Sequence, residues 1–335
     1  MMVKAFGEVM MRLEVPEHLK LEQAHTLHVS YTGTGVNVLS ALSRYGHQTS
    51  LITRLPQNSL GDAAMSSIQS LGISTQDISR GGDYLGKYFF ERGYSVRPTK
   101  VTYTNRQESS FCTSSLTDYD LENSLKNTSL IHFCGITLAM SEHIRNIALK
   151  VAQKAKALGI TIVFDCNYRP KLWKDQTDQA RRFYEAMLQL TDICFMTEKD
   201  AILLLGFKTE EVDKQAQLED VLPQVADKFK IGTIAGTMRK EKAANQTIQG
   251  FIYHLSSFAY SRQYVYKTLD RIGGGDGFAS GVMHGILKSF STQDMIEYAA
   301  AAGVLAHTTH GDAPICSMEE VWQLVKNDIG EGIER

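Results

Sequence analysis

Two hydrophobic patterns alternate through the last two thirds of the chain. Short runs rich in β-branched residues are separated by longer segments in which apolar residues recur every three or four positions. In segment 141–158, for example, Ile144, Ile147, Ala148 and Val151 would share one face of a helix. This pattern predicts strands at 130–134, 160–165, 192–196 and 230–235, and helices at 141–158, 179–190 and 218–229.

Strands that alternate with helices over this length indicate a parallel sheet with helices on both faces. In such folds, ligands bind beyond the carboxyl ends of the strands. We therefore predict an α/β fold with a three-layer arrangement and a mainly parallel central sheet. The residues that follow each strand are the first place to look for a site.

The N-terminal part follows another pattern. A first buried strand is predicted at 3–7, but segment 10–30 mixes polar and apolar residues with little helical periodicity. Segments 87–92 and 99–104 are rich in Tyr, Phe, Val and Thr, and they are typical of a hairpin of exposed edge strands. We predict a small β-sheet lid, built from about 10–30 and 84–112, on a single domain that spans 1–335.

Composition narrows the class of protein. The 335 residues are 43% hydrophobic and 21% charged, which is ordinary globular usage and excludes disordered, collagen and coiled-coil proteins. A net charge of −2 without a basic stripe argues against nucleic acid as a partner. No apolar stretch is long enough to span a membrane, and Glu8 and Arg12 interrupt the N-terminal apolar run, so we expect a cytoplasmic protein without a signal peptide.

Three motifs suggest chemistry that their context does not support. Segment 81–88 resembles a phosphate-binding loop, but Tyr88 replaces the magnesium-binding hydroxyl and a strand pattern follows instead of a helix. Segment 33–38 starts like a dinucleotide motif but lacks its last glycine, which disfavours a dehydrogenase. His307 and His310 have no further metal ligands near them in the sequence, so we expect them to be helix-end or surface histidines. The five cysteines have no CxxC spacing, and we expect them to be buried, reduced thiols.

The most informative segment is a glycine run before a helical pattern. Gly273, Gly274 and Gly275 directly precede Asp276 and a helix-period run. Glycines allow several backbone N–H groups to converge, and the first turn of a helix adds unpaired N–H groups and the positive end of its dipole. This arrangement suits a phosphate or a developing negative charge. Asp276 is then either a base that accepts a hydroxyl proton or a helix N-cap, and local chemistry leaves both open.

The longer pattern resembles the PfkB/ribokinase family of sugar kinases, whose signature is D-T-x-G-A-G-D. Asp270, Gly273, Gly275 and Asp276 are in register, while Arg271 and Gly274 stand in the places of Thr and Ala. The variant D-R-x-G-G-G-D is similar to the branch that phosphorylates 2-keto-3-deoxygluconate. The resemblance implies a ribokinase-like fold, Asp276 as the catalytic base, and an anion hole from the N–H groups of 273–276.

The resemblance also implies a substrate side. Gly33 and Asn37 fit the family's G-G-x-x-x-N substrate motif, with Thr32 in the place of the first glycine. Segment 165–173 is similar to the D-x-N-x-R-x-x-L-W segment of ketodeoxygluconate kinases, and a guanidinium is the best donor for a substrate carboxylate. Arg169 is thus expected to bind substrate, unless it pairs with Asp165 or a helix end. On the lid, the residues that resemble the sugar pocket are Tyr88, Tyr103 and Arg106.

The nucleotide side departs further from the family. The N-x-x-E motif stands as Thr197-Glu198-Lys199-Asp200, and Glu198 and Asp200 are expected to order Mg²⁺ through water. The helix pattern at 295–306 resembles the segment that packs on the adenine side. By resemblance, the residues expected to bind ATP are Gly236, Arg239, Asp270, Gly273 and Gly275.

These expectations converge on one reaction, which is transfer of the γ-phosphoryl group of ATP, with Mg²⁺, to a primary hydroxyl of a ketodeoxy sugar acid. Two alternatives stay open. The first is that the substrate is fructose, ribose or a nucleoside. The second is that the chain is a non-catalytic sensor of sugars or nucleotides on the kinase fold. Unpaired strand edges of the lid also predict a homodimer through the lid.

Overall fold

A parallel sheet forms the centre of the fold, as predicted. The computed structural model describes residues 2–174, 176–242 and 245–327. The strands are β1 (Met2–Phe6), β2 (Met10–Glu14), β3 (His28–Thr32), β4 (Thr49–Leu55), β5 (Ile78–Arg80), β6 (Gly86–Glu91), β7 (Lys100–Thr104), β8 (Thr128–Cys134), β9 (Thr161–Asp165), β10 (Ile193–Phe195), β11 (Thr233–Lys242), β12 (Asn245–His254), β13 (Ser257–Tyr260) and β14 (Tyr264–Tyr266).

The helices lie mostly between the strands of the central sheet. They are α1 (Thr34–Arg44), α2 (Ser59–Ser70), α3 (Leu121–Ser124), α4 (Gly135–Leu138), α5 (Glu142–Ala157), α6 (Pro170–Trp173), α7 (Thr177–Leu188), α8 (Lys214–Phe229), α9 (Gly274–Leu287), α10 (Thr292–Ala306) and α11 (Met318–Lys326). No helix in the described ranges is long and apolar enough to cross a membrane.

The central sheet combines parallel and antiparallel strands. In the order β5-β4-β1-β8-β9-β10-β11, every neighbouring pair is parallel. Beyond β11 the sheet continues with antiparallel β12, which pairs with both β13 and β14. This antiparallel edge was not predicted, because segment 239–249 is rich in polar residues and gave no strand signal.

Helices cover both faces of the sheet, which confirms the predicted three layers. One apolar core contains side chains of α5, α7 and α8, and the other contains side chains of α1, α9 and α10. The predicted helix at 218–229 begins earlier, at Lys214, because the Asp213 carboxylate caps the N–H groups of Gln215 and Ala216. The predicted strand at 230–235 begins later, because Lys230 ends α8 in the left-handed conformation.

A second sheet of four strands, in the order β3-β2-β6-β7, lies apart from the first and forms the lid. β6 and β7 pair as the predicted antiparallel hairpin. The prediction that both are edge strands was wrong for β6, because β6 also pairs in parallel with β2 and is therefore internal. The predicted homodimer through the lid stays a prediction, and the exposed apolar side chains of Val29, Tyr94 and Val96 belong to this region.

Buried ion pairs attach the lid to the main body. Arg12 of β2 is only 1% exposed, and its guanidinium pairs with Asp270, at 3.2 Å, and with Asp312. Arg92 also pairs with Asp270, at 3.2 Å, and both arginines reach Glu14 at 2.7 Å. Because these carboxylates are almost excluded from water, each depends on its cationic partners.

We expect Arg12→Leu to lower the free energy of unfolding by about 3–5 kcal/mol, since the variant leaves buried carboxylates without their shared cation. Urea denaturation followed by circular dichroism measures this loss. The matched control is Lys156→Met, which breaks the half-exposed pair of Lys156 with Asp192 at 2.6 Å. It should cost no more than about 1 kcal/mol. Equal losses for the two variants would contradict the role given to Arg12.

Candidate active site

A cleft of about 960 Å³ lies at the carboxyl ends of the central strands, between the sheet and the lid. It brings together twelve of the residues that the sequence marked as site residues. They are Gly33, Asn37, Tyr88, Tyr103, Arg106, Arg169, Asp200, Gly236, Arg239, Gly273, Gly275 and Asp276. Three others, Glu198, Asp270 and Gly274, do not line this cleft.

The glycine run forms the N-terminus of α9. Gly273 is the N-cap residue and has φ 88°, a left-handed conformation that glycine adopts at little cost. The helix starts at Gly274, and the Gly277 N–H donates to the Gly273 carbonyl at 2.8 Å. Gly273, Gly275 and Asp276 of this first turn line the cleft, and the anion site expected from their N–H groups stays a prediction.

Asp276 lies in the first turn of α9 and does not cap the helix, because Gly273 occupies the N-cap position. The N-cap interpretation of Asp276 is therefore wrong. Asn37 Nδ2 donates a hydrogen bond of 2.7 Å to Asp276 Oδ2. The pKa of Asp276 is raised to about 8, chiefly by burial and in part by the charge of nearby Asp165, against the opposing effects of the Asn37 hydrogen bond and the Arg169 charge.

A second group of charges follows β9. Asp165 ends this strand, and burial together with the charge of Asp200 raises its pKa to about 7. Arg169 occupies the N-cap position of the short helix α6 without a side-chain cap bond, and its positive charge lowers the pKa values of Asp165, Asp200 and Asp276. Within the described ranges, Arg169 makes no ion pair with a carboxylate inside 4.0 Å. The guanidinium is therefore placed at the cleft without the structural pairing that the sequence left open.

On the lid side, Arg106 is held by Glu8, which follows β1. Arg106 Nε donates to Glu8 Oε2 at 2.9 Å, and the guanidinium carbon lies 5.0 Å from the centre of the Tyr103 ring. Burial raises the pKa of Glu8, and the charge of Arg106 opposes this rise. The sequence analysis predicted Arg106 as a site residue but did not predict its pair with Glu8.

Asp312 is a cleft residue that the sequence did not indicate. Its Oδ2 accepts hydrogen bonds from the Tyr88 hydroxyl at 2.7 Å and from Thr32 Oγ1 at 2.8 Å. Thr32 Oγ1 also lies 3.2 Å from Asn37 Oδ1, so polar contacts run from Asp312 to the residue that holds Asp276. A single aspartate in a loop after α10 carries no local signal, and only the tertiary fold brings it to the cleft.

Asp270 does not line the cleft, although the sequence analysis predicted that it binds ATP. The side chain is 3% exposed, and the carboxylate is engaged by two arginines and by the N–H of Ile272 at 3.2 Å. Its position therefore suits a structural link between the lid and the glycine run. Gly274 is also buried and does not line the cleft.

A second cavity of about 620 Å³ adjoins the first, on the side where the sequence predicts the nucleotide. Arg239, Lys199 and Thr197 line both cavities, and Glu198 lines only this one. Asp200 Oδ2 accepts hydrogen bonds from the N–H and the hydroxyl of Thr197, at 2.8 and 3.1 Å. No group of three metal-binding side chains occurs among the described residues, so these carboxylates fit Mg²⁺ only through water and phosphate ligands.

Known proteins resemble the whole chain. Residues 2–319 match the pfkB family carbohydrate kinase. A 2-dehydro-3-deoxygalactonokinase from Haloferax volcanii is 28% identical over 98% of both chains.

Two solved structures are closer still. A protein from Enterococcus faecalis, described as a candidate 2-keto-3-deoxygluconate kinase, is 37% identical with a TM-score of 0.95, over 100% of this chain and 99% of the other. A 2-dehydro-3-deoxygluconokinase from Thermotoga maritima is 32% identical with a TM-score of 0.91, over 97% of this chain and 99% of the other. With the family match, these likenesses show that this chain belongs to the pfkB family and is a carbohydrate kinase.

Proposed function

We propose that the protein transfers the γ-phosphoryl group of ATP to the primary hydroxyl of a 2-keto-3-deoxy sugar acid. The substrate that fits best is 2-keto-3-deoxygluconate, which would give its 6-phosphate. One observation carries this proposal. A partly buried carboxyl group, Asp276, lies beside the backbone of a glycine loop in a cleft that also holds Arg169 and Arg106.

Asp276 is proposed as the general base. The Asn37 amide holds one carboxylate oxygen and leaves the other for the hydroxyl of the substrate. The proton of that hydroxyl passes to Asp276 as its oxygen attacks the phosphoryl group. A carboxyl whose pKa is near 8 is a stronger base than an exposed aspartate once it is ionised.

The glycine loop is proposed to stabilise the transferred group. The N–H groups at the start of α9 point to a site of developing negative charge, and the helix dipole has the right sign. Bound Mg²⁺ would neutralise charge on the phosphates, with Asp200 and Glu198 holding its water ligands. Arg239 and Gly236 line the same side of the cleft, where the phosphate chain of ATP would lie.

The acid end of the substrate is assigned to the two arginines. Arg169 makes no ion pair within the described ranges, and Arg106 uses its Nε for Glu8. Guanidinium groups bind carboxylates through paired hydrogen bonds, which favours an acidic substrate over a neutral sugar. The names of the relatives, which are kinases of ketodeoxy acids, support the same choice.

Asp276→Asn should lower kcat by about 10²–10⁴-fold, since the amide cannot accept the proton. ATP consumption is measured with Mg²⁺ and a panel of 2-keto-3-deoxygluconate, 2-keto-3-deoxygalactonate, fructose, ribose and adenosine. The control Asp294→Asn changes an exposed first-turn aspartate of α10 and should keep full activity. Turnover of a neutral sugar alone would overturn the substrate, and binding of ATP without any turnover would favour the sensor.

Asp276→Asn should also change the way in which the stability of the protein depends on pH. Because folding raises the pKa of Asp276 from about 3.8 to about 8, the folded protein disfavours its charged form. The resulting penalty is absent below pH 4, grows as the pH rises, and is complete above pH 8. We therefore expect the Tm of Asp276→Asn to match wild type at pH 4 and to exceed it increasingly up to pH 8–9, as measured by scanning calorimetry. A constant difference across this range would contradict the burial of a titrating carboxyl.

Arg169→Ala should raise the KM for a ketodeoxy acid by about 10–100-fold, because a charged hydrogen-bond pair is lost. The effect on kcat should be smaller, since Arg169 is assigned to the end of the substrate away from the reacting hydroxyl. Steady-state kinetics on the acid measure both constants, and Arg182→Ala, on the exposed face of α7, is the control. An unchanged KM would remove Arg169 from the substrate site.

A further inference from the structure

His307 lies directly beneath the glycine loop and makes contacts that none of the site residues above accounts for. It ends α10 and is only 1% exposed. Its ring stacks on Tyr266, with centroids 5.3 Å apart and an angle of 20° between the planes. A histidine so fully buried, next to an anion site, requires a physical explanation.

Three hydrogen bonds tie His307 to the segment that leads into the loop. Its carbonyl accepts from the N–H groups of Leu269, at 2.8 Å, and of Asp270, at 3.3 Å. Its Nδ1 lies 2.8 Å from the carbonyl oxygen of Asp270. Because a carbonyl oxygen only accepts, Nδ1 carries the proton and donates this bond. His307 thus holds the backbone of residues 269–270 from both sides.

The other side of the ring faces Gly274. A Cβ atom added at Gly274 would overlap Nε2, Cε1 and Cδ2 of His307, so no side chain fits there while the ring is in place. Nε2 has no hydrogen-bond partner among the described residues. The family signature has alanine where this chain has Gly274, and the position of His307 gives a physical reason for that departure.

The protonation state decides between two roles for the ring. Burial lowers the pKa of His307, and the charges of Arg239 and Arg271 act in the same direction, while the hydrogen bond to Asp270 and the charge of Asp270 oppose the shift. A neutral ring that is protonated on Nδ1 has only a lone pair on Nε2, which cannot donate to a phosphoryl oxygen. Donation of a proton or a hydrogen bond to the phosphoryl group is therefore excluded for this tautomer, and the remaining role is to shape the loop.

We propose that His307 is a positioning residue that fixes the glycine loop, through its Nδ1 bond to the Asp270 carbonyl and its contact with Gly274, so that the loop N–H groups converge on the transferred phosphoryl group. This inference rests on the proposed function of the loop. His307 touches neither substrate nor nucleotide in this role. It acts on the rate of transfer, and it should leave the binding of the sugar acid unchanged.

Two substitutions at His307 separate the hydrogen bond from the ring. His307→Asn keeps an N–H donor near the position of Nδ1 and removes the far half of the ring, whereas His307→Val removes both. We expect His307→Val to lower kcat by about 10-fold, with the KM for the sugar acid within about twofold of wild type. His307→Asn should retain kcat within about threefold. A loss in His307→Asn equal to that in His307→Val would overturn the role of the hydrogen bond.

A double-mutant cycle tests the contact with Gly274. Gly274→Ala alone should lower kcat by at least about 10-fold, because the new Cβ displaces either the ring or the loop. In the His307→Asn background the same substitution should cost less than about threefold, because the space has been freed. Equal losses in both backgrounds would overturn the steric link between the two residues.

Two further measurements separate the positioning role from stability and from the choice of substrate. Tm values for every variant identify loss through unfolding, and a fall in Tm with kcat unchanged would make His307 merely structural.

Calorimetry with Mg²⁺, ADP and aluminium fluoride, a mimic of the transferred phosphoryl group, needs no turnover. His307→Val should weaken the binding of the fluoride complex while binding ADP alone as wild type does, and equal affinities for the complex would contradict the proposal. If wild type phosphorylates no sugar acid, the substrate proposal fails while this readout still decides the role of His307.

Discussion

The carboxyl group of Asp276 is partly removed from water at the start of α9, and the surrounding site compensates for this partial burial in three ways. The helix offers unpaired N–H groups and the positive end of its dipole. Asn37 donates a hydrogen bond of 2.7 Å to the carboxylate, and Arg169 adds a positive charge nearby. These contributions are incomplete, since the pKa of Asp276 still rises to about 8. The site thus disfavours the charged form of Asp276, which is consistent with the proposed role of this residue as a general base.

A second constraint is set by the buried charges that attach the lid to the main body. Arg12 and Arg92 share the carboxylates of Glu14 and Asp270 at the junction between the lid and the main body, and Arg12 also pairs with Asp312. A buried ion pair adds little net stability, but it enforces one geometry, because any other leaves a charge without a partner. Asp270 precedes the glycine loop, so the geometry of the junction also sets where that loop begins.

Local sequence pattern was sufficient for the central elements and for one side of the site. Helix α5 and strands β8 and β9 have periodicities that depend only on neighbours in the chain, so their positions could be predicted to within two residues. The glycine run and Asp276 were visible for the same reason. Asp312 was not, because its partners Arg12, Thr32 and Tyr88 are more than 200 residues away in the sequence. The antiparallel edge beyond β11 was missed because segment 239–249, where it begins, is rich in polar residues and gave no strand signal.

Departures from a family signature are informative when the structure supplies the atom that fills the altered space. Thr32 stands in the place of a glycine, and its hydroxyl bonds to Asp312 and approaches Asn37. Gly274 stands in the place of an alanine, and the ring of His307 occupies the space that a methyl group would need. In both cases the change is matched by a contact from a distant segment, so it alters how the site is supported and leaves Asp276 and its helix in place. These contacts are the physical reason to treat the altered motif as that of a kinase with its own supporting contacts, and of the two departures Thr32 no longer favours the sensor hypothesis.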